Sequence, residues 1–261
     1  MFTRLKRKLK KNLSKKIIFQ ADIYDIDLDK KKFESLGVEN HYKVKLFKES
    51  FSTLCLLFST DKGSFIHSIA PSFFQKKIVR TIVQTHDYAK HYDNIFKNLR
   101  NKIKNICEIG VMGGASTAAL YYYFPKSAIF ALDINFHRFN IRSKRIIKKI
   151  VDQSSAVSLN NFIKNTKNRL FDIIIDDGSH MDNHIILTFE KLFPRLIKGG
   201  YYVIEDISYE LTPKTMKILK GKKYLKNFKV EKIKIFKSEE GLNLLSMDGT
   251  KQNYIAFLKK K

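Results

Sequence analysis

From Lys104 onward, apolar runs of four to seven residues alternate with longer stretches whose apolar positions recur every three or four residues. Short runs of that kind read as buried strands and the longer stretches as amphipathic helices, so the pattern predicts βαβ units around a parallel sheet. Strands are expected at 104–109 (KNICEI), 128–134 (AIFALDI), 171–176 (FDIIID) and 201–206 (YYVIED), with one more ending just before Asp152. Helices are expected at 114–124, 155–168 and 182–196. The last takes Asp182 as its N-cap and stops ahead of Gly199 and Gly200. A helix near 212–220 and strands near 230–237 and 253–259 complete the series. Seven strands with a closing β-β step make a Rossmann-like, doubly wound α/β sheet.

Upstream the pattern changes. Residues 1–19 (MFTRLKRKLKKNLSKKIIF) hold eight Lys or Arg and no acid, with Leu5, Leu9, Leu13 and Ile17 spaced by four. This is a basic amphipathic helix. It can lie on an anionic membrane, dock on an acidic partner, or pack one narrow stripe on its own domain. Residues 20–100 read as a mixed, mainly helical region ending in the aromatic-rich HDYAKHYDNIFKNLR. The chain is thus divided into a basic helical extension, 1–58, and a main domain, 59–261, whose first part, 59–100, forms a lid.

Composition narrows the class without naming a partner. At 261 residues and 44% hydrophobic positions the chain can bury a sizeable core. No stretch approaches the roughly 20 apolar residues of a bilayer span, and the N-terminus lacks a signal peptide's apolar block, so a cytoplasmic protein is expected. Cys55 and Cys107 stand alone and are expected to fill core space. The net charge of +25 fits an acidic partner or an anionic surface. It fits equally the Lys-rich, Trp-free composition of a low-GC genome.

The chemistry sits at the strand ends. Glu108-Ile109-Gly110-Val111-Met112-Gly113-Gly114 spans the turn from the first of these strands to its helix, where glycines let a ligand approach the backbone and Ser116 opens the helix. Asp133 ends the next strand and either accepts the two hydroxyls of a ribose or caps the following helix. Asp152-Gln153-Ser154 offers polar groups for an adenine edge. Together they point to an adenosine ligand. An acid before the first glycine, and the absence of G-x-G-x-x-G, favour S-adenosylmethionine over NAD.

Asp177, Glu205 and Asp206 lie beyond two neighbouring strands. Three converging carboxylates repel unless a cation or protons neutralise them, and oxygen ligands select Mg²⁺ or Mn²⁺. The alternative is that some cap helices. His180, in a Gly-Ser turn, is placed to remove a proton from a cation-bound hydroxyl. His184, one helical turn on, is expected on the helix face, supporting His180. Asp176 is assigned to the cofactor side or to turn geometry.

The set TDKG (60–63), His86-x-Tyr88 with Tyr92, EIGV-x-GG, Asp133-Ile134, DQS (152–154), IDDGSH and YYVIEDISY resembles the metal-dependent sugar O-methyltransferases over about residues 59–209. These include macrolide-sugar and rhamnosyl enzymes and relatives from cephamycin and surface-glycan pathways. The resemblance implies the S-adenosylmethionine methyltransferase fold with a helical N-terminal extension. It places Mg²⁺ at Asp177, Glu205 and Asp206, and the general base at His180. It puts Lys62, Glu108, Gly110, Gly114, Ser116, Asp133, Asp152, Gln153 and Asp176 around the cofactor, and Tyr88, Tyr92 and Tyr209 on the acceptor side. Two departures stand out: a longer insertion between Gly63 and His86, and a shorter N-terminus than the macrolide enzymes.

The expected partner is a sugar or nucleotide-linked sugar of capsule or other surface glycan, with residues 1–19 offering peripheral membrane contact at the inner face and room left for a homo-oligomer. Two rivals remain. A nucleic-acid methyltransferase rests on charge alone and lacks the D/N-P-P-Y/F motif, DDGSH standing in its place. A non-catalytic binding protein recruited to membranes would not need the full set of ligands and base.

Overall fold

The computed structural model describes residues 26–30, 46–58, 60–71, 78–139, 141–208, 221, 225–226, 228–237 and 252–261. The expected helices at 1–19 and 212–220, and Tyr209, lie outside them.

In chain order the strands are β1 (Ile26–Asp27), β2 (Phe65–Pro71), β3 (Ile78–Gln84), β4 (Asn105–Ile109), β5 (Ala128–Asp133), β6 (Ile141–Arg142), β7 (Ile146–Ile150), β8 (Phe171–Asp176), β9 (Leu196–Ser208), β10 (Val230–Lys237) and β11 (Gln252–Lys260). The α-helices are α1 (Phe51–Leu57), α2 (Ala89–Phe96), α3 (Ala115–Tyr123), α4 (Ala156–Asn165) and α5 (Asp182–Leu192). Seven strands form one sheet in the order β10-β11-β9-β8-β4-β5-β7. β4 pairs in parallel with β5 and β8, β5 with β7, and β8 with β9, while β11 runs antiparallel to β9 and β10. This is the expected doubly wound sheet with its β-β closure.

The period-two alternation of the buried strands sorts the two faces. Ile106, Ile173, Ile175, Val203 and Phe257 pack with α1, α2 and α3, through Phe51, Leu54, Tyr92, Phe96 and Leu120. Cys107, Ile109, Ile174, Tyr202, Ile204 and Leu258 pack with α4 and α5, through Leu159, Phe162, Ile185 and Phe189. Each fully buried Ile or Phe contributes about 1.5–3 kcal/mol relative to exposure. Helix α1 shares the core of the main sheet. Its N-terminus is capped from α2, where Asp93 accepts from the amides of Phe51 (2.8 Å) and Ser52 (3.1 Å). Both cysteines are free and buried, and among the described residues no helix is long and apolar enough to cross a membrane.

Three expectations are corrected. The 20–100 region contains an antiparallel hairpin, β2–β3, whose register pairs Phe65 with Gln84 and Pro71 with Ile78. The β-branched run IVRTIVQ is the strand signal that a helical reading overlooks. The helix at 182–196 ends at Leu192 and gives way to a 3-10 turn, Phe193–Arg195, because Pro194 cannot continue an α-helical ladder. Asp182 is the first helical residue rather than the N-cap, a place where its charge still meets the positive end of the helix.

Candidate active site

The β4–α3 turn is shaped by two glycines in left-handed conformation, Gly110 (φ 82°) and Gly114 (φ 86°). A Cβ on Gly110 would lie 2.0 Å from the carbonyl oxygen of Asp177, so glycine is what lets the ends of β4 and β8 approach. Below the turn Glu108 is fully buried, its two carboxylate oxygens accepting from the hydroxyls of Ser116 (2.5 Å) and Thr117 (2.6 Å). Burial raises its pKa against the pull of those hydroxyls and of Lys62. At the end of β5, Asp133 accepts from the amides of Met112 (2.9 Å) and Asn135 (3.2 Å). Met112 and Ile134, on these two turns, are large apolar side chains left 65% and 64% exposed.

Asp152 turns back on its own loop, where its Oδ1 accepts from the amide (2.8 Å) and hydroxyl (2.6 Å) of Ser154, bonds that hold its carboxyl below the usual range. Gln153 reaches inward. Its Nε2 donates to Asp176 (2.5 Å) and its Oε1 accepts from the amide of Ser179 (2.9 Å). The hydroxyl of Tyr202 donates to the other oxygen of Asp176 at 3.1 Å. Burial pushes the Asp176 carboxyl up to about 7 in spite of these donors.

The second acid cluster lies on the side of α1 and α2. Asp177, His180 and Asp206 each present one ligand atom, all within 4.8 Å of one another. Glu205 is buried beside them, but its oxygens are engaged elsewhere: Oε2 accepts from the Lys62 ammonium at 2.5 Å and Oε1 from the Tyr92 hydroxyl. Lys62, only 1% exposed, also donates to Asp177. Thus Lys62 meets the acids, a placement for which the TDKG motif is the one local signal. The Tyr88 hydroxyl donates to Asp206 (3.0 Å), and His86 Nε2 lies 3.5 Å from the same oxygen. Tyr88 and Tyr92 are 1% and 0% exposed, their hydroxyls spent on the acids.

Burial raises the carboxyls of Glu205 and Asp177, the latter to about 6, with Lys62 pulling the other way. Burial alone would lower Lys62; Asp177 and Glu205 outweigh it and hold the ammonium well above the ordinary lysine range. Burial and the neighbouring carboxylates likewise push Tyr88 and Tyr92 up, so both phenols stay protonated donors.

Two local features aim these groups. Alternation along β9 would send Glu205 and Asp206 to opposite faces. Opposite β11 the register steps from Tyr254↔Ile207 to Ala256↔Ile204, a bulge that takes in both acids. Asp206 has φ 52° and His180 φ 58°, left-handed conformations that cost non-glycine residues of order 1–3 kcal/mol and that cluster at functional sites. The loop carrying Lys62 is welded to the start of α2: Ala89 N donates to Lys62 O and Asp87 N to Gly63 O, both at 2.8 Å. Hairpin β2–β3 springs from between these two strips. His184 bonds Ser179 (2.8 Å, Nδ1 to Oγ) in the turn that carries His180.

The donor set fits a hard divalent cation: two carboxylates and an imidazole converge, with further acids and donors packed behind them. The adjoining glycine turn, Asp133 and the exposed Met112 and Ile134 supply the backbone access, polar end and apolar surface that a nucleoside needs.

Comparison with known proteins defines the class first. The fold is that of the Rossmann-like S-adenosylmethionine methyltransferases: it superposes on MycE methyltransferase from the mycinamycin biosynthetic pathway, solved with Mg and SAH, with a TM-score of 0.59 and 24% identity over 82% of this chain and 55% of that one. The sequence then points to particular relatives. Over 129 residues the chain is 36% identical to mycinamicin VI 2''-O-methyltransferase of Micromonospora griseorubida, 47% of this chain and 32% of that protein. Over 135 residues it is 33% identical to 8-demethyl-8-alpha-L-rhamnosyl tetracenomycin-C 2'-O-methyltransferase of Streptomyces olivaceus, 49% and 35% of the respective lengths. About half of the chain is therefore homologous to sugar O-methyltransferases, matching about a third of their length. No protein-family model matches.

Proposed function

We infer that the chain is an S-adenosylmethionine-dependent O-methyltransferase acting on a sugar hydroxyl with the help of Mg²⁺ or Mn²⁺. The convergence of Asp177, His180 and Asp206 beside the glycine turn of a methyltransferase fold carries the inference. The relatives' sugar substrates agree with it.

In this reading the β4–α3 turn, Asp133 and the 152–154 loop hold the adenosine of the cofactor, while Glu108, Asp176 and Gln153 stiffen the floor beneath it. The cofactor supplies an electrophilic methyl group whose sulfide leaving group needs no acid. Asp177 and Asp206, with Glu205 alongside, would hold the cation, which would supply the positive charge that lowers the pKa of an acceptor hydroxyl. His180 Nε2 is 4.0 Å from Asp206 Oδ2, longer than a hydrogen bond, and takes the hydroxyl proton. Tyr88 and Tyr92 orient the acids from the acceptor side. A nucleotide-linked or glycan sugar of capsule or surface polysaccharide fits the basic chain, with residues 1–19 as the membrane-facing element. Deleting those residues is expected to release the protein from anionic vesicles while leaving methyl transfer intact.

The decisive assay supplies labelled cofactor and candidate sugar nucleotides with and without EDTA, for the wild type and His180→Ala. Transfer is expected to disappear on chelation, to return with Mg²⁺, and to fall sharply in the variant. Undiminished transfer under both treatments would overturn the mechanism.

A further inference from the structure

We propose that Lys62 is the built-in counter-cation of the acid cluster, holding the site together without metal and limiting how tightly the divalent ion binds. The proposal rests on the metal-site reading above and concerns a residue whose motif alone had placed it at the cofactor.

Three observations carry it. The ammonium is buried to 1% exposure and touches two acids at once, Asp177 Oδ2 and Glu205 Oε2. Its backbone is fixed, because the Lys62 carbonyl accepts from Ala89 N at 2.8 Å and the neighbouring Gly63 carbonyl accepts from Asp87 N and from the Thr85 hydroxyl (2.6 Å). Tyr92 meets the other oxygen of Glu205, while the carboxylates of Asp177 and Asp206 and the imidazole of His180 each bring one atom within 4.8 Å of the others. Buried to this depth with its backbone held, the ammonium can leave the acids only by a path through packed protein, so its charge is counted with the site.

The charge count then has a consequence. Counted as ionised, Asp177, Glu205 and Asp206 contribute three negative charges and Lys62 one positive, leaving two, which one divalent ion balances; Asp61, the further acid acting on Lys62 and Asp177, is common to every variant below. Without the ammonium the ion would face three negative charges at short range in a poorly screened interior, and would bind more tightly. Buried Glu205 and partly buried Asp177 would meanwhile lack their cationic partner in the metal-free protein.

The test is a charge cycle read by calorimetric Mg²⁺ titration and by melting temperature in EDTA and in Mg²⁺. Lys62→Met keeps the length of the side chain and removes the charge. It is expected to lower the melting temperature in EDTA, to enlarge the rise produced by Mg²⁺, and to tighten Mg²⁺ binding by on the order of tenfold or more. In a Glu205→Gln background, where any ligand role of Glu205 is already removed, adding Lys62→Met is again expected to tighten Mg²⁺ binding. Should the single variant fail to fold, this pair decides: a double variant that binds Mg²⁺ more tightly than Glu205→Gln supports the proposal, and one that fails to fold or binds no more tightly overturns it in favour of a packing role. If Lys62→Met leaves Mg²⁺ affinity unchanged and weakens S-adenosylhomocysteine binding instead, Lys62 serves the cofactor and the proposal is wrong. A wild type that binds no Mg²⁺ at all removes the metal reading as well, an outcome distinct from a wild type and variant that bind it equally.

Discussion

Asp176 and Asp177 are neighbours in the sequence and belong to different electrostatic worlds. Asp176 ends β8 on the α4–α5 face, where neutral donors, Gln153 and Tyr202, meet its two oxygens. Asp177 emerges on the α1–α2 face, where Lys62 meets it and Asp206 and His180 lie within reach of a shared ion. Glu108 follows the first pattern with Ser116 and Thr117, and Glu205 the second with Lys62 and Tyr92. A carboxyl surrounded by neutral donors is a finished structural element, and its burial favours a proton when the donors fall short. Acids gathered around one ammonium remain under-neutralised and attract further positive charge. The difference separates acids completed by neutral donors from acids that leave room for a cation.

The sharpest test of that division is His180→Ala. Loss of a general base lowers methyl transfer by about 10²–10⁴-fold, while the Mg²⁺-dependent rise in melting temperature persists. If both vanish together, the imidazole is a ligand of the ion and the base lies elsewhere. Next in size is Gly110→Ala, which drives a Cβ to 2.0 Å from Asp177 O at a left-handed position. It is expected to cost roughly 3 kcal/mol or more in chemical denaturation, because the two strand ends share that contact. A cost below about 1 kcal/mol would show that the ends part easily.

A matched pair of tyrosine substitutions addresses the comparison directly. Tyr202→Phe removes a donor from Asp176 and is expected to cost about 1.5–3 kcal/mol equally in EDTA and in Mg²⁺. Tyr92→Phe removes a donor from Glu205 and is expected to enlarge the stabilisation by Mg²⁺, which then offsets part of the loss. Equal responses would erase the distinction between the clusters. A further test lies in pH dependence. The folded value of about 7 for Asp176 exceeds the ordinary unfolded value of about 3.9, so between them the unfolded state binds fewer protons. Its contribution to stability is present at acid pH and is lost as pH rises from about 4 to about 7. In EDTA, Asp176→Asn is expected to flatten that decline by up to about 1.4 kcal/mol per pH unit, as followed by urea melts across the window.

Much was legible because it is local. Strand β8 is expected and observed at 171–176, and β10 at 230–237, since a buried strand must be an unbroken or alternating apolar run and nothing else in the chain imitates one there. The carboxylates, His180 and the glycine turn were legible for a related reason: loops at the ends of parallel strands carry little packing duty, so polar residues concentrated in them stand out. Hairpin β2–β3 was misread because its strands lie outside the βαβ rhythm and, among the described residues, pair only with each other. Pairing across a loop has no periodic signature that a helical reading must violate.

By itself, then, the sequence determined the order of the strands of the main sheet, the class of that sheet and which strand ends bear acids, because burial imposes those patterns residue by residue. Which acid meets which partner was decided only in three dimensions. The bulge at Glu205–Asp206 turns two consecutive side chains toward one place, and the 60–63 loop brings Lys62 across 115 positions to Asp177. Neither follows from any local preference. A bulge depends on how β9 and β11 are registered, and a buried ion pair forms only where the packed fold excludes water from both charges.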